Sequence, residues 1–205
     1  AKYANDERAQ KFVDLLTPIS KAFLSDKGFE GAVMAQQIFG GHGYIKEWGV
    51  EQIVRDARIA QIYEGTNGVQ AFDLVARKVV RDGGQAMRLF VDYMSDSECD
   101  PNYQAALEEN FARLIKVTES VVQRSKTDPD IAGAVSADYL ELSGLVCYGW
   151  LWARMSLLAP NDEFGNAKKE TARFFFNRVF PKTLSLEQSI SCDSDVLMDF
   201  AGASF

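Results

Sequence analysis

The sequence has little of what marks several large classes of protein. Its three cysteines, Cys99, Cys147 and Cys192, are odd in number and far apart, so neither a disulfide framework nor a metal site is predicted. Lysine and arginine number 22 against 29 aspartates and glutamates, and the resulting net charge of −7 argues against a nucleic-acid partner. The longest apolar run, residues 145–153, is much shorter than the roughly 20 residues of a membrane span.

Two further absences concern the cellular setting and the extent of the chain. No basic-then-apolar signal pattern opens the sequence, and the scattered cysteines fit a reducing compartment, so we expect a cytoplasmic protein. The chain starts at Ala1 without a methionine and within a helical pattern, which indicates a piece of a longer protein. Its 205 residues, of which 47% are hydrophobic, provide ample material for a core.

Helical periodicity occupies most of the sequence. No alternating strand pattern of useful length occurs, so the predicted fold class is all-α, built as antiparallel helical bundles. The first helix is predicted to be interrupted at Pro18, and Ser25-Asp26 is predicted to cap a new helix over residues 27–39. Gly40-Gly41 is predicted to end that helix, because glycine adopts the left-handed conformation found at helix termini.

The later helices follow from caps and apolar spacing. Asn67 with Gln70 forms a predicted capping box, and Asp100-Pro101 and Asp128-Pro129 predict the starts of two long helices. The helix that follows Asp128 is apolar on nearly all sides, so we expect it to be buried. The other predicted helices cover residues 50–59, 67–81, 85–94, 166–180 and 181–191.

A glutamate lies outside any helical face, in the loop Ile-Tyr-Glu-Gly-Thr that contains Glu64. A carboxylate in an aromatic-walled, poorly hydrated site is a good proton acceptor near neutral pH, although a lone loop glutamate is more often solvated surface. Gly40 and Gly41 could let backbone amides approach a phosphate, and Thr66 and Asn67 could offer amides at a helix start. Glycine pairs are more often turns and caps need no ligand, so the residues alone leave both interpretations open.

Three motifs together resemble one family. Residues 37–44 read QIFGGHGY, residues 55–58 read RDAR and residues 62–66 read IYEGT. In this order and spacing they resemble the C-terminal helical domain of the flavin-dependent acyl-CoA dehydrogenases. The continuation TNGVQ resembles the branch that includes the 3-methylthiopropanoyl-CoA dehydrogenases, which carry an extra helical module. The resemblance implies a partial dehydrogenase C-terminal bundle over residues 1–82 and an additional helical module over residues 83–205.

The resemblance also implies a reaction and a set of site residues. The reaction is α,β-dehydrogenation of an acyl-CoA thioester to a trans-2-enoyl-CoA, with Glu64 as the catalytic base for the α-proton and FAD as hydride acceptor. Substrate contacts are implied for Tyr63 and Gly65. Cofactor contacts are implied for Gln37, Gly40, Gly41, Thr66 and Asn67, the first three with the FAD of a neighbouring subunit. Arg55, Asp56 and Arg58 are interpreted as an ion-pair lattice that holds the loop.

Partners and alternatives complete this interpretation. The resemblance implies an acyl-CoA substrate, an electron-transfer flavoprotein as electron acceptor, a homo-oligomer and a place in fatty acid metabolism. The family's N-terminal and middle domains do not match any part of the sequence, so we expect the chain by itself to be inactive and to retain no FAD. An acyl-CoA oxidase of the same fold, or a non-catalytic helical oligomerisation or interaction module, are the alternatives.

Overall fold

The computed structural model describes residues 6–198, and all regular structure in that range is helical. The α-helices are α1 (Glu7–Ile38), α2 (Gly41–Tyr44), α3 (Val50–Ile59), α4 (Asn67–Phe72), α5 (Gln85–Ser95), α6 (Gln104–Arg124), α7 (Ile131–Ala134), α8 (Ser136–Leu158), α9 (Glu163–Phe174), α10 (Lys182–Ile190) and α11 (Asp195–Met198). Short 3₁₀ turns cover Lys46–Trp48 and Pro101–Tyr103, while π-helical turns at Asp73–Val80 and Phe175–Val179 extend α4 and α9. The predicted all-α class is confirmed. Across this part of the chain, no helix combines the length and hydropathy needed to cross a membrane.

Helix α1 corrects the predicted break at Pro18. It runs unbroken for 32 residues, and Asp6 caps its start by accepting hydrogen bonds from the amides of Arg8 and Ala9. An internal proline costs about 3 kcal/mol, because it removes one helical hydrogen bond and crowds the preceding turn. Burial of several apolar side chains, at roughly 1.5–3 kcal/mol each, offsets that cost. Those around the proline are Leu15, Ile19 and Phe23.

The predicted cap at Ser25-Asp26 is also wrong, for a related reason. The Ser25 hydroxyl donates back to the carbonyl of Lys21 at 2.7 Å, as serine does inside a helix. The Asp26 carboxylate accepts hydrogen bonds from Gln61 and Asn67, which follow it by many residues in the chain. Both side chains therefore have partners that leave the helix uninterrupted.

Helix α8 lies at the centre of the fold, packed by α1, α4, α6, α9 and α10. The prediction that it is buried on most sides is confirmed, since Tyr139, Leu142 and Val146 are fully enclosed. The Tyr139 hydroxyl pairs with the Thr118 hydroxyl at 2.6 Å, so its polar atom stays satisfied inside the core. One buried cluster joins residues before and after position 82, and the division into residues 1–82 and 83–205 stays a prediction.

The two Asp-Pro starts have different outcomes. Asp100 accepts a hydrogen bond from the Asn102 amide at 3.0 Å, and Pro101 opens the turn that leads into α6, as predicted. At the second start, Asp128 accepts from the Asp130 amide at 2.9 Å, but only the short α7 follows. The long helix begins anew at Ser136, so the predicted start at Asp128-Pro129 is wrong.

Residues 26–66 project from this core, and we call them the arm. The arm consists of the second half of α1, α2, α3 and the loop of Glu64, with α3 packed along α1. Among residues 26–66, all of which the structure describes, only Gly43 and Val50 are buried. Its exposed large apolar side chains are Val33, Met34, Ile38, Phe39, Tyr44, Ile45, Trp48, Ile53, Ile59, Ile62 and Tyr63.

A glycine-dependent turn connects α1 to α2. Gly40 has a φ of +58°, so the predicted glycine end of the first long helix is confirmed. At Gly43, a side chain would overlap the carbonyl oxygen of Gln36 and lie 2.9 Å from the Cβ of Phe39. The predicted loop beyond this turn contains α2 and a 3₁₀ turn.

Candidate functional site

The loop of Glu64 begins where α3 ends. The amides of Ile62 and Tyr63 both donate to the carbonyl of Ile59, at 3.0 and 3.2 Å. The Asn67 amide then donates to the Gln61 carbonyl at 3.1 Å, which closes the loop across its base. Residues 61–67 therefore form a short closed loop between α3 and α4.

The backbone at Glu64 adopts a strained conformation. Its φ is +54°, which makes it the only non-glycine residue with positive φ between residues 6 and 198, and Gly65 follows with φ +81°. An L-residue in the left-handed region costs about 1–2 kcal/mol, and such strain persists where surrounding contacts impose it, often at functional sites. The Glu64 side chain is exposed.

Two side chains hold the peptides that follow Glu64. Gln70 donates its amide N–H to the Glu64 carbonyl at 3.1 Å. Lys21 donates its ammonium to the Gly65 carbonyl at 2.7 Å. The carbonyls of Glu64 and Gly65 therefore each have their own side-chain donor.

The Asn67 side chain faces α1 and does not form the predicted capping box. Its Nδ2 donates to the Asp26 carboxylate at 2.6 Å and to the Ser25 hydroxyl at 2.9 Å, while its Oδ1 accepts from Lys21 at 2.8 Å. Thr66 is the N-cap of α4, and its hydroxyl accepts from the Val69 amide. The capping-box prediction failed because the asparagine amide finds charged partners on a distant part of the chain.

The predicted lattice of Arg55, Asp56 and Arg58 does not form. Within residues 6–198, none of the three makes an ion pair; Asp56 accepts from Gln52 at 2.7 Å and Arg58 donates to Gln61 at 2.8 Å. The reason is helical geometry, because oppositely charged residues one or two positions apart do not face each other. Arg58 still contributes to the loop through its hydrogen bond to Gln61.

The predicted site residues fall into two separate groups. Residues from Tyr63 to Asn67 lie together in the loop, beside residues 21–26 of α1. Gln37, Gly40 and Gly41 lie at the far end of α1, roughly 18 Å beyond Ser25 at 1.5 Å per residue. They are exposed, and a Cβ placed on either glycine would meet no atom within 4 Å.

A cavity of about 340 Å³, lined by both apolar and charged side chains, lies behind the loop, between α1, α4 and α8. In it, Lys27 pairs with Glu30 at 3.1 Å and with Glu141 of α8 at 3.0 Å, which joins the arm to the core. Burial lowers the pKa of Lys27, but hydrogen bonds to Glu141 and Glu30 outweigh it, so the net shift is upward. Burial, with the nearby charge of Glu141, raises the pKa of Asp138.

The residues that hold the loop were missed by sequence reasoning. Lys21, Asp26, Gln61 and Gln70 carry its hydrogen bonds, and the contacts with α1 join residues 35 to 46 positions apart in the chain. Side chains of the same types occur throughout the sequence as ordinary surface residues. Only Lys21 and Ser25, four positions apart, share a face of α1, and that spacing alone does not indicate a partner.

Comparison with known proteins identifies the relationships of both parts of the chain. Residues 1–80 match the family described as "Acyl-CoA dehydrogenase, C-terminal domain", and residues 85–201 match the one described as "Acetyl-CoA dehydrogenase C-terminal like". A 3-methylmercaptopropionyl-CoA dehydrogenase from Ruegeria pomeroyi is 33% identical over 93% of this chain and 35% of its own length.

More distant relatives agree with these matches. The broad-specificity linear acyl-CoA dehydrogenase FadE5 of Mycobacterium tuberculosis is 27% identical over 96% of this chain and 36% of its own. A butyryl-CoA dehydrogenase of Syntrophomonas wolfei is 26% identical over 87% of this chain and 33% of its own length. The chain thus spans about a third of the length of the curated relatives it matches. It belongs to the acyl-CoA dehydrogenase family and corresponds to the C-terminal part of those enzymes.

Proposed function

We propose that this chain is the base-bearing C-terminal part of an FAD-dependent acyl-CoA dehydrogenase, with Glu64 as the catalytic base. The observation that carries the proposal is the conformation of Glu64. It is the one non-glycine residue between positions 6 and 198 with positive φ, and its own carbonyl and that of Gly65 both accept side-chain hydrogen bonds. A fold maintains such strain where the direction of a side chain matters.

The chemistry divides between this chain and its cofactor. The exposed Glu64 carboxylate accepts the α-proton of the acyl thioester as that C–H bond breaks. FAD, when bound, supplies the acceptor for the β-hydride. Gly65 has no side chain to obstruct the thioester beside the base, and the half-exposed ring of Tyr63 offers an apolar wall. Exclusion of water by substrate would strengthen the base, because desolvation disfavours the charged carboxylate.

The predicted cofactor residues fit FAD at two separate places. The open backbone of Gly40 and Gly41, with the exposed Gln37, can approach a bulky polar group closely. Their separation from the loop of Glu64 supports the proposal that they contact the FAD of a neighbouring subunit in a homo-oligomer. The exposed Thr66 is the candidate in the loop itself. Asn67 stays a predicted cofactor contact, although its side chain is engaged with α1.

Substrate and partners follow from the relatives. Their names specify a 3-methylmercaptopropionyl thioester, butyryl-CoA and linear acyl-CoAs, so we propose a short or medium acyl-CoA as substrate and fatty acid metabolism as the setting. Electrons would pass to an electron-transfer flavoprotein. Because the chain spans about a third of these enzymes, we expect it to need the remaining regions for activity and for FAD retention.

The test is anaerobic titration of the complete flavin-loaded enzyme with butyryl-CoA, octanoyl-CoA and a methylthiopropanoyl-CoA. Bleaching of the flavin band should occur, and Glu64→Gln should slow it by about 10²–10⁴ while FAD stays bound. Glu47→Gln, at another exposed glutamate of the arm, is the matched control and should keep the rate.

Three outcomes would redirect the proposal. An unchanged rate in Glu64→Gln would reject the assignment of the base. Rapid oxygen consumption with little reduction of an electron-transfer flavoprotein would favour an acyl-CoA oxidase. A colourless protein that cannot be loaded with FAD would favour a non-catalytic helical module.

A further inference from the structure

We infer that a group of polar side chains, which we call the latch, positions the catalytic base. The latch consists of Lys21 and Asp26 on α1 with Gln61 and Asn67 at the two ends of the loop. Its proposed role rests on the proposed function of Glu64. None of these residues needs to touch the substrate; they act by holding the backbone that carries the base.

The strain at Glu64 requires such support. The loop contains one backbone bond across its base, from the Asn67 amide to the Gln61 carbonyl. A single exposed hydrogen bond contributes about 0.5–1.5 kcal/mol, which is no more than the cost of a left-handed L-residue. Further contacts are therefore needed to keep Glu64 in one conformation.

Asp26 fixes both ends of the loop at one atom. Its Oδ1 accepts from the side-chain amides of Gln61 and Asn67, both at 2.6 Å. Hydrogen bonds to a charged acceptor contribute more than neutral ones, about 1.5–3 kcal/mol each. One carboxylate oxygen thus sets the distance between the residues where the loop begins and ends.

Lys21 links the middle of the loop to the same region of α1. Its ammonium donates to the Gly65 carbonyl at 2.7 Å and to the Asn67 amide oxygen at 2.8 Å. The Gly65 carbonyl lies one peptide after the strained residue, so its position determines how the chain leaves Glu64.

The segment of α1 beneath the latch is rigidly held. Ile19, Ala22 and Phe23 are buried against the core, with the latch residue Lys21 among them and Asp26 three positions after Phe23. Lys21 therefore ties the loop of Glu64 to a part of α1 that is packed against the core. The expected consequence of losing the latch is a misaligned base, and misplacement by about 1 Å can cost on the order of 10²-fold in rate.

The first test is Lys21→Met, which keeps the length of the side chain and removes its donors. Lys11→Met, at an exposed lysine of the same helix, is the matched control. In the 205-residue chain, hydrogen exchange of the amides of residues 61–67 should become at least about 10-fold faster in Lys21→Met and stay unchanged in Lys11→Met. Unchanged exchange in Lys21→Met would overturn the latch, whatever the function of Glu64.

The second readout is kinetic and uses the complete flavin-loaded enzyme. Lys21→Met should slow flavin bleaching by butyryl-CoA at least about 10-fold, with the Kd for butyryl-CoA changed less than about 3-fold. FAD content and melting temperature should stay at the values of the Lys11→Met control. Faster loop exchange with an unchanged bleaching rate would overturn the positioning role.

A reciprocal exchange of side chains tests the specific contact. Asn67→Asp places a second carboxylate against Asp26 and should slow bleaching at least about 10-fold. Adding Asp26→Asn restores an amide–carboxylate hydrogen bond between the two positions, with donor and acceptor exchanged. Bleaching in the double variant should be at least about 3-fold faster than in Asn67→Asp. A double variant no faster than Asn67→Asp would count against the latch. Glu64→Gln, measured in parallel, reports separately on the base itself.

Discussion

The arm and the bundle around α8 differ in what holds them. In the bundle, long helices enclose one another, and the side chains of Tyr139, Leu142 and Val146 are shut off from solvent. In the arm, residues 26–66, only Gly43 and Val50 are buried, and large apolar side chains face outward. The bundle is stabilised by its own core, whereas polar contacts such as Asp26–Asn67 and Lys27–Glu141 join the arm to it.

The candidate base lies where these two regions meet. Glu64 lies at the boundary between the two regions, within the arm but tied by Asn67 and Lys21 to the packed part of α1. Elements of low local stability commonly carry binding loops, because those loops must admit ligands. Here the candidate base combines an exposed position with hydrogen bonds to the packed part of α1.

Hydrogen exchange should show the largest contrast between the two regions. Amides of α8 should exchange only on global unfolding, whereas those of α2 and the turn at Lys46–Trp48 should exchange through local opening, at least about 100-fold faster. Mass spectrometry of the 205-residue chain at neutral pH would measure both. Similar protection of the amides in the two regions would contradict the expected difference in local stability.

A methyl group inside the bundle should be poorly tolerated. Gly144 of α8 faces Phe23 of α1, and a Cβ there would overlap the aromatic ring. Gly144→Ala should therefore lower the free energy of unfolding by about 1–3 kcal/mol, as overpacked cores do. Urea denaturation would measure the change, and unaltered stability would show that α1 and α8 can separate without cost.

An ion pair between α6 and α10 gives the bundle a pH-dependent contribution. Glu187 accepts from Lys116 and from Arg113, both at 2.8 Å. The hydrogen bond from Lys116 lowers the pKa of Glu187, burial opposes it, and Arg113 lowers it further. Glu187→Gln should cost about 1–2 kcal/mol at pH 7.

The sign of this effect follows from the lowered pKa. The stabilisation is fully present above the unfolded-state pKa of about 4.3 and is lost as the pH falls through the lower folded-state pKa. The difference in free energy of unfolding between the original chain and Glu187→Gln, measured by urea titration, should therefore decrease below about pH 4. If this difference in free energy stays constant from pH 7 to pH 3, the ion pair does not contribute to stability as expected.

The smallest expected effect concerns a glycine of the arm. Gly31 lies within α1, and a Cβ there would meet no atom within 4 Å. Gly31→Ala should raise the free energy of unfolding by about 0.5–1 kcal/mol, because alanine has the better helix propensity. Destabilisation, in contrast to this expectation, would show that the arm is packed more closely than its exposure indicates.

Local signals in the sequence predicted much of the fold. The helix at residues 50–59, the glycine end of α1 and the Asp100 cap all depend on neighbours close in the chain. The same reasoning was wrong at Pro18, because burial of the surrounding helix surface outweighs the cost of a proline inside a helix. The motif predicts Glu64 as the base, and that assignment stays a prediction; the contacts that hold its loop join Asn67 to residues more than 40 positions earlier. Such contacts are set by packing and leave no periodic trace.

Because α1 is unbroken, a small tilt at one end of the helix moves its other end by several times the displacement near the core. At 1.5 Å per residue its 32 residues extend about 48 Å, with one half clamped in the bundle and the other leading to Gly40. From Phe23 to Ile38 the distance is about 22 Å, so a tilt of about 5° at the clamp would move the tip by about 2 Å. Small changes in how α8 packs on α1 would thus be magnified at the glycine turn. The direction of that turn would therefore respond to how the bundle holds the first half of α1.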